Sequence, residues 1–281
     1  MPPVWRPSAW QVTLLALPAY GAETRDYVFQ TAMPQPPGRP TGPGGIEAAL
    51  VWAGYGRDAD LMGRDFTNKV AVIRTRPLPG AFSSGDGVAQ KLAARGAVGL
   101  IAIMDWAVDL QLYLDLDLLG TDKIPVFAVS DAEGRFLEDV LTAAAGAPPP
   151  RARIRLDSGM LENLRTHNVV GMVAGREQEY VIVTAHHDAY FYGANDNASG
   201  VATLLALARH MASRNEPPRH HYVFVAAGSH HNGHAGTTHF IENNREILDH
   251  CVIFLKSCTS RIGSDHYPVT TRVSLTEASE H

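Results

Sequence analysis

Apolar and polar positions along this chain follow two rhythms, and the changes between them mark the elements. Short apolar or β-branched runs at 49–53 (ALVWA), 69–74 (KVAVIR), 98–104 (VGLIAIM) and 124–129 (IPVFAV) predict strands. Residues 87–95 (GVAQKLAAR) carry helical spacing and stop at Gly96, and Asp131 is expected to cap a helix running through 145. Pro148 to Pro150 are expected to close this first unit. From Arg151 a second pattern begins, with strands expected at 153–156, 168–173, 180–185 and 221–227. Helices are expected at 199–212 and from 238; in the first, Val201, Leu204, Leu205, Ala208 and Met211 fall on one face. Strands alternating with helices predict α/β architecture with a mainly parallel sheet.

Three segments follow: 1–44, 45–150 and 151–281. The first ends in MPQPPGRPTGPGG, too rich in Pro and Gly for regular structure, and is expected to pack on a domain or act as a lid. The apolar stretch 12–22 is interrupted by Pro18 and preceded by a single Arg6, so it reads as strand or loop rather than as a signal segment. The compartment stays unknown.

Composition narrows the function classes. The 281 residues are 45% hydrophobic and 19% charged, a globular balance, and no run is apolar enough to span a membrane. A formal charge of −5 without any Lys/Arg run argues against a nucleic-acid surface. Cys251 and Cys258 make no disulfide framework and are expected to be unpaired thiols. Asp105, Asp109, Asp115, Asp117 and Asp122 are expected to form a solvated acidic face rather than a calcium site.

Candidate chemistry sits where two apolar runs end. After 181–185 come His186, His187 and Asp188, then Asp196 inside a GANDNASG turn in which Gly193, Asn195 and Asn197 direct Asp196 inward. After 221–227 comes SHHNGHAG, with His230, His231 and His234 in a Gly-flanked loop. Open α/β sheets present ligand-binding groups at the carboxyl ends of their strands. Imidazole and carboxylate are both good zinc ligands, and Asp188, two residues past His186, is placed to orient a ligating ring.

The stretches HHDAYFYGANDNASGVATLLALAR and YVFVAAGSHHNGHAGTTHF resemble the core of the clan MH zinc exopeptidases, which include bacterial aminopeptidases and glutamate-carboxypeptidase-like proteins. The stretches GYGRDAD…DFTNKVAVI, KLAARGAVGLIA and IPVFAVSDAEGRFLEDVL resemble the protease-associated domain often joined to them. The resemblance implies a peptide substrate, cleaved at a terminal bond by metal-activated water. It implies that His186 is a metal ligand, Asp188 its orienting carboxylate and Asp196 the carboxylate that bridges two zinc ions. The family's Glu-Glu pair is replaced here by His230-His231, which puts His230 in the base position and His231 in a ligand position. Lys256 stands where a further acidic ligand is expected, and neither His266 nor His281 has the context of the family's last His ligand. One zinc at most is therefore expected, with His186, Asp196 and His231 as its ligands, and the C-terminal part reads as truncated or altered. A working exopeptidase, amino- or carboxypeptidase, stands beside a catalytically silent peptide-binding homologue and a fragment with neither role.

Overall fold

A computed structural model describes residues 2–18, 24–75, 87–105, 122–189, 192–257 and 271–274. The chain divides into two compact units, Trp5–Leu161 and Glu162–His281, the second joined by Met1–Val4.

The first unit is built on an eight-stranded sheet. Its strands are β1 (Val4–Pro18), β2 (Thr24–Val28), β3 (Met33–Pro34), β4 (Ile46–Trp52), β5 (Lys69–Thr75), β6 (Gly99–Met104), β7 (Val126–Val129) and β8 (Arg151–Leu161). They lie in the order β2-β1-β8-β4-β5-β6-β7-β3, and β4 to β7 run parallel. Helices α1 (Asp58–Leu61), α2 (Val88–Ala94) and α3 (Asp131–Ala143) complete the unit. Every side chain of β6 and β7 is buried, as expected of central parallel strands.

Two expectations shift here. Residues 153–156 do not open the second unit: β8 belongs to the first, pairing antiparallel with β4. Its sequence alternates strictly, so Ala152, Ile154 and Leu156 enter the core while Arg151, Arg153 and Arg155 face out. Pro150 does not interrupt the sheet, because its carbonyl accepts the Leu50 N–H at 2.8 Å. The N-terminal segment likewise contributes a strand, β1, lying between β2 and β8, with Val12 and Leu14 fully buried.

Polar groups lock this unit at the end of β5. Arg74 donates to Asp131 and Glu138, each at 2.7 Å, and to Asp105 at 3.2 Å. Those carboxylates hold the Arg74 guanidinium well above its ordinary range, the Glu138 hydrogen bond contributing most and burial opposing. The capping position of α3 is Ser130, not Asp131, which is the first helical residue and serves Arg74 instead. Asp105 is thus an ion-pair partner and Asp122 contacts Lys123, while Asp109, Asp115 and Asp117 lie outside the described residues.

The second unit has the predicted layered α/β form. Its sheet contains β9 (Val169–Val173), β10 (Tyr180–His186), β11 (His221–Ala227), β12 (Cys251–Ser257) and β13 (Thr271–Ser274), ordered β13-β12-β10-β11-β9. The three central strands are parallel and both edges antiparallel. Helix α4 (Gly200–Ala212) packs Leu204 and Met211 against Val181, Val183 and Phe224 on one face. On the other face α5 (Ala235–Asn243) and α6 (Arg245–Asp249) bring Phe240, Ile247 and Leu248 over Ile182, Val223 and Val225. Leu205, expected on the apolar face of α4, is 52% exposed. The inward stripe runs through Val201, Leu204, Leu207, Ala208 and Met211, which turns Leu205 to the margin. Cys251 is a free thiol, and Cys258 lies outside the described residues. Among the described residues, no helix is long and apolar enough to cross a membrane.

Candidate metal centre

Strand register brings the two His-bearing segments together. His186 is the last residue of β10 and pairs with Ala227, the last residue of the parallel neighbour β11. Ser229, at φ 59°, then turns the chain so that His230 and His231 follow directly beside the end of β10. His186 itself is buried.

The third element is the turn after β10. Gly193 takes φ 55°, and a Cβ there would lie 2.1 Å from the Ala189 Cβ, so only glycine allows the turn to close. The wide turn Ala194–Ser199 follows, and Asp196 leaves the helical path at φ −110°, ψ 91°. The Asp196–Asn197 peptide is cis. The buried Asn197 amide donates to the His186 carbonyl at 3.3 Å, tying the turn to the strand end.

The donor atoms of His186, Asp196 and His231 all lie within 4.8 Å of one another. His186 Nε2 stands 2.9 Å from Asp196 Oδ1, and His231 Nε2 stands 3.6 Å from Asp196 Oδ2. Ligand atoms about 2.0–2.1 Å from a tetrahedral zinc are about 3.3 Å apart, so these separations bracket the spacing one small ion requires. Two imidazoles and one carboxylate also suit zinc chemically. The donor set therefore suits zinc.

Asp188 works differently from expectation. The group bonded to His186 Nδ1 is the backbone carbonyl of Asp188, at 2.9 Å, with the carboxylate Oδ1 3.7 Å away. A carbonyl only accepts, so Nδ1 carries the hydrogen and Nε2 is left as the electron-pair donor that faces Asp196. The Asp188 carboxylate instead accepts the backbone N–H of His230 at 2.9 Å and of His231 at 3.4 Å. One residue thus fixes both imidazole-bearing segments.

His230 is outside the three-atom cluster. Its ring stacks on that of His186, centroids 4.0 Å apart and planes within 12°. Its Nδ1 lies 2.9 Å from Nδ1 of His234, which is exposed and sits at the amino end of α5. His187 is also exposed and donates its Nε2–H to the His167 carbonyl at 2.8 Å. Lys256 lies in β12 in register with Thr184, and His266 and His281 lie outside the described residues.

Burial would raise the carboxyls of Asp188 and Asp196, yet both are held below the ordinary range. For Asp188 the His186 ring and the His230 N–H outweigh burial. For Asp196 the neighbouring His186, His231 and His230 rings do so, a pull they exert when protonated. Burial pushes the His231 imidazole down, against the pull of Asp196. Ionised carboxylate beside neutral imidazole is the protonation state a metal requires.

A second-layer residue escaped the sequence reading. Asn168 closes the loop of residues 228–236 from below, its amide donating to the Gly236 carbonyl at 2.8 Å and its oxygen accepting the Gly228 N–H at 3.2 Å. A Cβ on Gly236 would stand 2.2 Å from the Gly228 carbonyl oxygen, so this contact too demands glycine. The only signal in the sequence is an Asn at the head of a β-branched run, which reads equally well as a turn residue.

Comparison with known proteins places this geometry. Residues 168–272 match the family described as Peptidase family M28. Aminopeptidase YwaD of Bacillus subtilis (strain 168) is 27% identical over 230 residues, 79% of this chain and 45% of that protein. Probable glutamate carboxypeptidase LAMP1 of Arabidopsis thaliana is 34% identical over 89 residues, 30% of this chain and 13% of that protein. Among solved structures, a peptidase M28 precursor from Shewanella amazonensis SB2B superposes with TM-score 0.68 at 20% identity, covering 91% of this chain and 59% of that one. BSAP, a zinc aminopeptidase from Bacillus subtilis, gives 0.58 at 23% identity, covering 91% and 56%. These structural likenesses establish the α/β fold. The chain spans less than half the length of the curated relatives it matches.

Proposed function

On the premise that residues 168–272 carry peptidase family M28 sequence, we propose that this chain bears the metal centre of a zinc-dependent exopeptidase-like hydrolase of aminopeptidase type, acting on peptides. The observation that carries this reading is the convergence of His186, Asp196 and His231 at the carboxyl edge of β10 and β11. The protein matched along most of this chain is named an aminopeptidase, and one structural neighbour a zinc aminopeptidase, which supports both the ion and the reaction type. One ion is proposed, since three donors leave a fourth position open to substrate or water. Bound zinc supplies Lewis acidity and lowers the pKa of a water molecule at that position.

The remaining roles belong to the chain. His186, with its tautomer set by the Asp188 carbonyl, and His231, with its backbone held by the Asp188 carboxylate, keep their Nε2 atoms directed at Asp196. His230, adjacent to both, is assigned as the proton acceptor during hydrolysis, because an imidazole nitrogen with an unshared pair can take a proton. The first unit is assigned as protease-associated-like, supported by its parallel β4–β7 core.

Lys256 favours a second reading, peptide binding without turnover, because a cation occupies the β12 position where the resemblance expects an acid. Two measurements decide between them: zinc content of the purified protein by elemental analysis, and hydrolysis of aminoacyl-4-nitroanilides. Bound zinc with turnover, both lost in His186→Ala, supports the hydrolase. Zinc-free protein without turnover overturns it.

A further inference from the structure

We propose a second divalent-metal site, of the zinc type, formed by Glu177, Glu179 and His220 at the amino ends of β10 and β11. Their ligand atoms all lie within 4.8 Å of one another. The cluster lies wholly within the second unit, at the opposite end of the sheet from His186. Strand β10 separates the two places by about 20 Å, at about 3.3 Å per residue. The proposal therefore stands whether or not the chain is a hydrolase.

The backbone holds the two contributing segments together before any ion binds. Glu177 and Glu179 sit in the turn between β9 and β10, and His220 directly precedes β11. Arg176 N–H donates to the Pro218 carbonyl at 3.0 Å, Glu177 N–H to the Arg219 carbonyl at 2.9 Å, and His221 N–H to the Glu179 carbonyl at 2.9 Å. Of the two adjacent imidazoles, His221 is committed to this scaffold: its Nδ1 accepts the Gly175 N–H at 3.0 Å and its ring stacks on Tyr180. Arg219 Nε–H donates to Glu177 Oε2 at 2.8 Å, which keeps that carboxylate beside His220.

The His220 ring is what marks the cluster as a ligand site rather than a patch of surface charge. Its Nδ1 is buried and has no hydrogen-bond partner among the described residues, although Glu179 Oε2 stands 3.0 Å away and Glu177 Oε2 3.9 Å away. A buried ring nitrogen left without a partner is unfavourable. Nitrogen and oxygen this close, yet not aligned as donor and acceptor, stand as two ligands of one small ion do. His186 Nε2 and Asp196 Oδ1 are spaced alike, at 2.9 Å. One imidazole with two carboxylates suits zinc, whereas calcium and magnesium favour oxygen ligands alone. Both carboxylates reach solvent, so the ion exchanges freely and fills the site on titration rather than surviving purification. Bound there, it would clamp the β9–β10 turn to the start of β11.

The test titrates zinc into the full-length His186→Ala protein by calorimetry, with the unaltered protein as a second reading of the same cluster. One equivalent is expected in His186→Ala, and one beyond that held at His186 in the unaltered protein. Adding His220→Gln is expected to abolish this uptake. Adding Glu179→Gln, a change on a half-exposed side chain that leaves the fold intact, is expected to raise the dissociation constant about 10-fold or more, and it decides the matter should His220→Gln fail to fold. Zinc is also expected to slow amide exchange at Arg176, Glu177 and His221, whose N–H groups join the two segments. No uptake at this cluster in either protein overturns the proposal and leaves His220 as a protonated partner of Glu179. Uptake unchanged by both Glu179→Gln and His220→Gln overturns it as well, assigning the ion to other histidines.

Discussion

The carboxylate of Asp188 accepts the backbone N–H of His230 at 2.9 Å, joining the loop after β10 to the loop after β11. The bond fixes where the His-His pair begins without engaging either ring. Asp188→Asn keeps the size but removes the charge that two N–H groups share. The expected cost is about 1.5–3 kcal/mol in stability, as for hydrogen bonds to charged groups, read as a lower urea midpoint at unchanged slope. Zinc affinity, measured by competition with a chelator, is expected to fall about 10- to 100-fold because His231 loses its anchor.

Acid is expected to weaken the metal-free protein in two steps. His231 is held below its ordinary value of 6.5, so as pH falls past 6.5 the unfolded chain takes up the proton first. The stability lost in that interval is fully present above it. Asp188 and Asp196, held below 3.8, add a second loss as pH falls through and below that value. Thermal unfolding from pH 8 to pH 3 checks this; a melting temperature that rises between pH 7 and pH 5 contradicts the His231 assignment. Zinc affinity should follow the first step, since protons compete for the same nitrogen.

Asn168→Ala removes both hydrogen bonds that close the 228–236 loop and leaves the Gly228 N–H and Gly236 carbonyl to find other partners. A loss of about 1–3 kcal/mol is expected, with the added signature of faster amide exchange confined to residues 228–236. Exchange that speeds up uniformly along β11 would show a general strand defect instead.

Gly134 lies in the first turn and a half of α3, where alanine would ordinarily favour the helix by about 1 kcal/mol. A Cβ there stands 2.1 Å from Ile103 Cγ2, inside the fully buried β6. Overpacking costs of about 1–3 kcal/mol outweigh the propensity gain, so Gly134→Ala is expected to destabilise the first unit. Gly134→Ala combined with Ile103→Ala, which removes the clashing Cγ2, should cost less than the two single losses added together in a denaturation series.

What the sequence disclosed depended on how local the cause was. Residues 181–185 are buried and mostly β-branched, and their strand is where the pattern puts it. RARIRL alternates clearly enough to predict a strand, but which sheet receives it depends on pairing with Glu47 and Ala49, about a hundred residues away. The HxD, GANDNASG and His-His segments pointed to the three residues that come together, His186 and His231 because strand ends in parallel register lie at one edge and Asp196 because the turn after β10 folds back there. The two roles of Asp188, carbonyl to His186 and carboxylate to His230, were not legible, since they depend on backbone direction rather than residue type. The His230–His234 contact required the helix start to be placed at Ala235 rather than 238.

The in-register pairing of His186 with Ala227 has a metrological consequence. Adjacent strands stand about 4.8 Å apart, a distance fixed by backbone hydrogen bonding and nearly incompressible. The His186 imidazole grows from the last rung of that ladder, while His231 follows in the loop past the end of β11, so the sheet fixes one arm of the candidate site. Asp196 and His231 belong to turns outside the ladder, and any tolerance of the candidate site for ions of different radius resides in those two arms.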